Sequence, residues 1–136
     1  MIVLDTSFLS LVFRRPRGEE EAATAATLFR ELVTDELPLG VPAVVVQEIL
    51  SGIRSEKQFD DLQSNLDGLQ VLVAEMQQHL LAARIMNQCL AAGITPSSID
   101  VLIAAQTIST GGSLLTYDRD FEKIAPHCGL QLYVAD

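Results

Sequence analysis

The chain has 136 residues, of which 49% are hydrophobic and 20% are charged. This length and balance indicate one globular domain with a substantial core and exclude a disordered chain. The formal net charge of −9 argues against a general nucleic-acid binder, which needs clustered Lys and Arg side chains. Any contact with nucleic acid would need bound cations or a local basic patch, and the candidate patch is formed by Arg14, Arg15 and Arg17.

Cysteine content and leader signals bear on the compartment. The chain has two cysteines, Cys89 and Cys128, and its first residues lack a signal-peptide pattern because Asp5 interrupts the apolar run. We therefore expect a reduced, cytoplasmic protein. No stretch approaches the roughly 20 apolar residues that span a membrane, so we expect no membrane partner.

The first residues predict a strand that leads into a helix. Ile2, Val3 and Leu4 form a short β-branched apolar run, which is typical of a strand buried on both faces of a parallel sheet. After Asp5 the apolar residues recur at helical spacing as far as Phe13. A carboxylate therefore follows the strand directly, at the sheet edge where open α/β proteins bind ligands.

Strand and helix patterns alternate along the rest of the chain. Helices are predicted from 19 to about 34, 43 to about 53, 56 to about 66 and 75 to 92. Residues 95–98 indicate the start of another helix that runs to about 110, and a helical turn is predicted at 119–124. Strands are predicted at 37–41, 69–73, 113–116 and 130–134. This alternation predicts a single α/β domain over residues 1–136, with a central parallel sheet of about five strands and helices on both faces.

Acidic side chains occur at strand ends and inside apolar helical segments. Asp5 and Asp118 each follow a predicted strand, while Glu48 and Asp100 lie among apolar helical neighbours. Singly, each has a structural explanation: an aspartate favours the first position of a helix, and Asp100 can form a capping box with its preceding Ser97. Glu48 can lie on a half-exposed face. Together they favour a site, because parallel strands bring their carboxyl ends to one edge.

Clustered carboxylates need partners. Ionised carboxylates that lie close together repel one another and lose hydration at a high cost in free energy. Mg²⁺ or Mn²⁺ relieves this repulsion, since both ions prefer oxygen ligands. Such a site suits phosphodiester hydrolysis, because the metal polarises the phosphate, activates water and stabilises the leaving oxygen.

Four segments in order carry a family resemblance. They are Ile2-Val3-Leu4-Asp5-Thr6-Ser7, Gln47-Glu48-Ile49-Leu50-Ser51-Gly52, Asp100-Val101-Leu102-Ile103-Ala104-Ala105 and Leu115-Thr116-Tyr117-Asp118-Arg119-Asp120-Phe121. No single segment is specific, but their order and separation cover nearly the whole chain. The sequence resembles the PIN-domain ribonucleases, especially the VapC-type toxins of toxin–antitoxin pairs.

The resemblance implies a fold and a site. It implies a sheet of strand order 3-2-1-4-5 and a PIN-like domain with a catalytic Mg²⁺ or Mn²⁺ pocket. The pocket acids would be Asp5, Glu48, Asp100 and Asp118, with Asp120 in the outer shell or as the alternative fourth acid, and the hydroxyls of Thr6 and Thr116 would line it. The run Tyr117-Asp118-Arg119 departs from commoner family sequences and leaves Asp118 and Asp120 as alternatives.

The resemblance also implies an activity and partners. It implies a metal-dependent endoribonuclease that leaves a 5′-phosphate, with Glu48 either binding metal or orienting water. A small antitoxin would silence it, and the free toxin would be a homodimer.

Two other classes compete with this interpretation. A receiver or a haloacid-dehalogenase-like phosphatase also places Asp at a strand end, but the phosphatase motif needs a second Asp where this chain has Ser7. A receiver needs a Lys at the end of a late strand, and neither Lys57 nor Lys123 is placed there. A non-catalytic PIN-like interaction module is the third possibility, and retention of all four acids counts against it.

Overall fold

The fold is built on a parallel sheet. The structure is a computed structural model that describes residues 1–14 and 20–135. Within these ranges the sheet has four strands in the order β3-β2-β1-β4. The strands are β1 (Ile2–Leu4), β2 (Leu39–Pro42), β3 (Gln70–Leu72) and β4 (Ser113–Leu115). The predicted α/β class, parallel sheet and strand order are confirmed.

The described ranges contain seven α-helices, of which α1 to α6 connect these strands and α7 follows the last one. They are α1 (Thr6–Phe13), α2 (Glu20–Thr34), α3 (Ala43–Leu50), α4 (Glu56–Leu66), α5 (Met76–Ala91), α6 (Ser98–Thr110) and α7 (Asp120–Ile124). The chain moves across the sheet in one direction from β1 to β3 and returns past β1 to β4. Because such crossovers are right-handed, α1 to α4 lie on one face and α5 with α6 on the other. Accordingly α1 packs on α2 and α3, and α5 packs on α6.

Several predicted boundaries differ from the structure. The segment 130–134 forms a single parallel bridge, Leu114 to Leu132, instead of a full fifth strand. Helix α3 ends at Leu50 and not near residue 53, because Ser51 turns to an extended conformation with ψ of 133°. Strand β2 extends one residue past its predicted end, since Pro42 is its last residue and directly precedes α3.

The core lies between the sheet and both helical layers. Its largest fully buried side chains come from β1, β2 and β4 and from the helices that cover them, and they include Phe8, Phe121, Leu4, Leu9, Ile49, Ile85 and Leu114. Deep burial of large apolar side chains is the main favourable contribution to folding. No helix of the described residues is long and apolar enough to span a membrane.

Sheet register fixes which residues meet at the carboxyl edge. In the β1–β4 pair, Leu4 lies opposite Leu115, and the Asp5 backbone N–H donates to the Leu115 carbonyl at 3.4 Å. The residues that follow this pair are Asp5 on one strand and Thr116 on the other. The sheet therefore brings the end of β1 beside the start of the loop that carries Asp118.

Candidate metal centre at the carboxyl edge

Asp5 is the one buried charged side chain in the part of the chain that the structure describes, and it is 3% exposed. It is the N-cap of α1, where its Oδ1 accepts from the Phe8 N–H at 3.0 Å. The Ser7 hydroxyl donates to Oδ1 at 2.8 Å and lies 3.0 Å from Oδ2, and the Thr116 hydroxyl donates to Oδ2. The capping explanation and a site role therefore coexist in Asp5, because a cap alone needs neither hydroxyl.

Burial dominates the electrostatics of Asp5. Loss of hydration raises the pKa of its carboxyl above 3.8, and the negative charge of Asp118 adds to the rise. Hydrogen bonds from Thr116, Phe8 and Ser7 oppose the shift by stabilising the ionised form.

The Thr116 hydroxyl connects Asp5 to the loop after β4. It donates to Asp5 and accepts from the Asp118 N–H at 2.9 Å. Asp118 Oδ1 in turn accepts from the Asp120 N–H at 2.9 Å. This chain of hydrogen bonds fixes the positions of Asp118 and Asp120 relative to the buried carboxylate.

Three carboxylates converge beside this network. Asp100, Asp118 and Asp120 each offer an oxygen, and these oxygens lie within 4.8 Å of one another. Asp100 reaches the group from the first turn of α6, where the Ser97 hydroxyl accepts from its N–H at 3.0 Å. Ligand oxygens on opposite sides of an ion with bonds of about 2.0–2.6 Å lie about 4–5 Å apart, so the spacing fits a small hard cation.

The pKa of Asp100 reflects its burial and the negative charges around it. The pKa of Asp100 is raised to about 6, mainly by burial and next by the negative charge of Asp118. The charges of Asp120 and Glu48 add to this rise. The hydrogen bond with Ser97 opposes this rise. A carboxyl that resists ionisation in the metal-free protein gains from a cation, because the cation stabilises its charged form.

Glu48 lies at the margin of the group. It comes from α3, half-buried, and its Oε1 accepts from the Thr6 hydroxyl at 2.7 Å. Its charge raises the pKa of Asp100, which places it near the three-acid group without making it one of the three. Thr6 therefore holds Glu48 in the same way that Ser7 and Thr116 hold Asp5.

The sequence-predicted site residues thus divide into two sets. Asp100, Asp118 and Asp120 form the convergent group, while Asp5 and Glu48 surround it and are held by hydroxyls. Both alternatives for the fourth acid, Asp118 and Asp120, are present in the group. Arg14 lies exposed at the end of α1, and Arg15 and Arg17 fall outside the described residues.

Sequence reasoning missed Ser7 and Tyr117. Ser7 contacts both Asp5 oxygens and also accepts from the Tyr117 N–H at 2.9 Å. Its position two residues after Asp5 was a usable signal, since serine hydroxyls commonly bond nearby polar groups. Tyr117 had no such local signal.

Comparison with known proteins places the fold. A solved VapBC2 structure from Rickettsia felis, bound to a DNA fragment from its promoter, matches over all of both chains at 17% identity and a TM-score of 0.78. A toxin–antitoxin complex from Klebsiella pneumoniae matches at 16% identity and a TM-score of 0.69, covering 89% of this chain and 90% of that one. The Sarcin-Ricin loop cleaving toxin VapC20 from Mycobacterium tuberculosis matches at 16% identity and a TM-score of 0.68, covering 90% of this chain and 93% of that one.

Sequence comparison gives the family. No curated protein matched the chain. The family model described as PIN domain matches residues 2–126, which is nearly the whole sequence and includes every acid of the site. The chain therefore belongs to the PIN domain family.

Proposed function

We propose that this protein is a metal-dependent endoribonuclease and the toxin of a toxin–antitoxin pair. The observation that carries the proposal is the group of three carboxylate oxygens within 4.8 Å, set beside the buried Asp5 at the carboxyl edge of the sheet. Membership of the PIN domain family supports it. The likeness to a toxin that cleaves the Sarcin-Ricin loop supports RNA as the substrate class.

The donor set fits Mg²⁺ or Mn²⁺. Asp100, Asp118 and Asp120 would hold the cation through hard oxygen ligands, which these ions prefer. A bound divalent ion would polarise the phosphate and offset the charge that develops on it during hydrolysis. Asp5 would position Asp118 through the Thr116 hydroxyl, which donates to Asp5 and accepts from the Asp118 N–H.

Glu48 is the candidate general base. Its carboxylate is held by Thr6 and lies beside the three-acid group, so it can orient a water toward a phosphate there. The water oxygen would attack phosphorus, one of its protons would pass to Glu48, and the bond from phosphorus to the 3′ oxygen would break. The products would be a 5′-phosphate and a 3′-hydroxyl, whose proton comes from solvent.

A metal titration with matched variants tests the proposal. We expect purified protein to cut RNA with Mg²⁺ or Mn²⁺ and to stop when a chelator is added. Asp118→Asn should reduce kcat at least about 100-fold, because it removes a charge from the centre of the acid group. Asp60→Asn removes the same charge from an exposed position on α4 and should cut RNA like the wild type. Equal activity of the two variants would refute the site.

The similarity to solved toxin–antitoxin structures also bears on the binding partners of this protein. The solved neighbours include a toxin–antitoxin complex, and we propose a small antitoxin as the partner of this chain. We also propose a homodimer for the free protein, since isologous dimers are the commonest oligomers. Light scattering on the purified chain, alone and with the product of a neighbouring small gene, would measure both assemblies. A monomer at tens of micromolar would contradict the dimer.

A further inference from the structure

Tyr117 is an aromatic side chain that packs against the core beside the acid group and is open to solvent. It is 37% exposed and directly precedes Asp118. Its ring packs edge-on against Phe8, with centroids 5.7 Å apart and planes at 87°. Phe8 is fully buried and contacts Phe29 in turn, and the Tyr117 N–H is anchored to the Ser7 hydroxyl. One side of the ring is therefore packed against the core while the rest faces solvent.

Both tyrosines of the chain line the space next to the acids. Tyr117 and Tyr133 lie on the walls of a cavity of about 630 Å³ between α2 and the C-terminal segment, and of an adjoining cavity of about 390 Å³. The smaller cavity also includes Asp118 and Arg119. These volumes lie in the range of sites that bind small organic groups. The aromatic surface is thus concentrated at one side of the proposed reaction centre.

Charge decides which part of a nucleotide suits the smaller cavity, which we call the tyrosine-lined cavity. Its other walls carry Glu21 and Glu122, and Asp118 adds a third carboxylate against the single cation of Arg119. The three carboxylates outnumber this cation, so the interior of the cavity favours a neutral base over a phosphate, and Arg119 is the one cationic side chain in the described part of its lining that could bind a backbone phosphate of the same strand. Carboxylates also accept hydrogen bonds from the N–H groups on base edges, as they do from the cytosine amino group.

We propose that the tyrosine-lined cavity is a nucleobase subsite, in which a base next to the scissile phosphate stacks on Tyr117. This inference rests on the proposed ribonuclease function. In a protein with a net charge of −9, stacking provides RNA affinity that does not depend on contacts between phosphates and cations. The acid group and its cation would take the phosphate, and the cavity would take the neutral base beside it.

Kinetics of three Tyr117 variants test the stacking. Tyr117→Ala and Tyr117→Leu should each raise KM for RNA roughly 5- to 150-fold, the range that base–aromatic stacking energies imply, with little change in kcat. Leu keeps apolar packing against Phe8, so it covers the case in which Ala unfolds the loop. Tyr117→Phe keeps the ring and should stay near the wild-type KM. Leu80→Ala, which removes an apolar side chain that is 55% exposed on α5, is the control.

Binding without cleavage gives an independent readout. In NMR titrations of the wild type, uncharged nucleosides should shift the backbone amide signals of residues 116–119, and ribose 5-phosphate should not. Tyr117→Leu should abolish the nucleoside shifts while its thermal stabilisation by Mn²⁺ remains that of the wild type.

The outcomes separate the two proposals. Nucleoside shifts in a protein that cuts no RNA would refute the ribonuclease and leave the base subsite standing. Normal RNA cleavage by Tyr117→Leu, or a Tyr117→Phe variant as impaired as Tyr117→Leu, would overturn the stacking inference alone. Ribose 5-phosphate shifts equal to those of nucleosides would also overturn it, since the ligand would then be the phosphate.

Discussion

At the scale of single residues, Asp100 couples stability to pH. Its pKa is raised from 3.8 to about 6 in the folded protein, so folding favours the protonated carboxyl. The contribution is fully present below pH 3.8 and is lost as the pH rises through about 6. In the metal-free protein at pH 7 the ionised Asp100 therefore opposes folding.

The effect of Asp100→Asn on the melting temperature should reverse sign when metal is added. In the presence of a chelator we expect Asp100→Asn to melt at a higher temperature than the wild type at pH 7, with the difference vanishing below pH 3.8. With Mn²⁺ the order should invert, because only the wild type gains from the ion. Thermal melts from pH 3.5 to 8 measure both effects. A lower metal-free melting temperature for the variant at pH 7 would contradict the assigned repulsion.

Ser7 should matter for stability as well as for the site. Its hydroxyl bonds the Asp5 carboxylate and accepts the Tyr117 N–H, so Ser7→Ala leaves two polar groups short of a partner. We expect a loss of about 1–3 kcal/mol in the free energy of unfolding, measured by urea denaturation. Ser64→Ala, at an exposed position of α4, is the matched control and should change stability by less than about 0.5 kcal/mol.

Local sequence explains some site residues and not others. Asp5 directly follows the apolar run of a predicted strand, and Asp118 follows the predicted strand that contains Leu114 and Leu115. Both could therefore be placed at the sheet edge from the sequence pattern alone. The contact between Ser7 and Tyr117 joins residues 110 positions apart. No local pattern encodes such a contact, because it depends on the β1–β4 register.

At the scale of elements, Gly112 permits the close approach of β4 to β1. A Cβ added at Gly112 would lie 2.0 Å from the Met1 carbonyl oxygen, a backbone atom that also accepts from the Ser113 N–H at 3.1 Å. We expect Gly112→Ala to cost at least about 2 kcal/mol in the free energy of unfolding. It should also weaken stabilisation by Mn²⁺, since β1 and β4 position Asp5 and Asp118.

Gly68 supplies the control for that substitution. A Cβ there meets nothing within 4 Å. Gly68→Ala should therefore be neutral or add about 0.4–1 kcal/mol by restricting the unfolded chain. Urea denaturation of the two variants side by side decides the matter, and equal stabilities would show that the β1–β4 approach tolerates a side chain.

The predicted fifth strand is reduced to one bridge beside the short strand β4. The alternating pattern of residues 130–134 suits a strand, and Leu114 does bond this segment on both sides, through Gln131 and Tyr133. Beyond Leu115, however, the N–H groups of Tyr117 and Asp118 donate to the hydroxyls of Ser7 and Thr116. Strand β4 therefore ends at Leu115, where the chain enters the acid network, and a pattern of hydrophobicity does not reveal this end.

At the scale of the whole molecule, charge opposes the proposed substrate. The chain carries 9 Lys and Arg against 18 Asp and Glu. Two cations of the described residues lie near the acid group. Lys123 Nζ is 3.9 Å from Asp120 Oδ1, so this carboxylate partly neutralises its charge, and Arg119 lines the tyrosine-lined cavity. Affinity for RNA should therefore come mainly from the bound divalent ion and from stacking, with few monovalent counterions released.

The salt dependence of cleavage should be shallow, and Arg119 should account for a measurable part of it. At a fixed Mn²⁺ concentration, each cation that contacts a single-stranded phosphate contributes about −0.7 to the slope of log affinity against log salt. We expect Arg119→Gln to lower kcat/KM and to flatten this slope by about 0.7. Arg84→Gln makes the same charge change at an exposed position on α5 and should leave the slope unchanged. The measurement is kcat/KM for a short RNA across a monovalent salt series. A slope as steep as that of a basic RNA-binding protein, or one that both variants flatten equally, would mean that RNA is attracted by the general field of the protein and not by a contact beside the acid group.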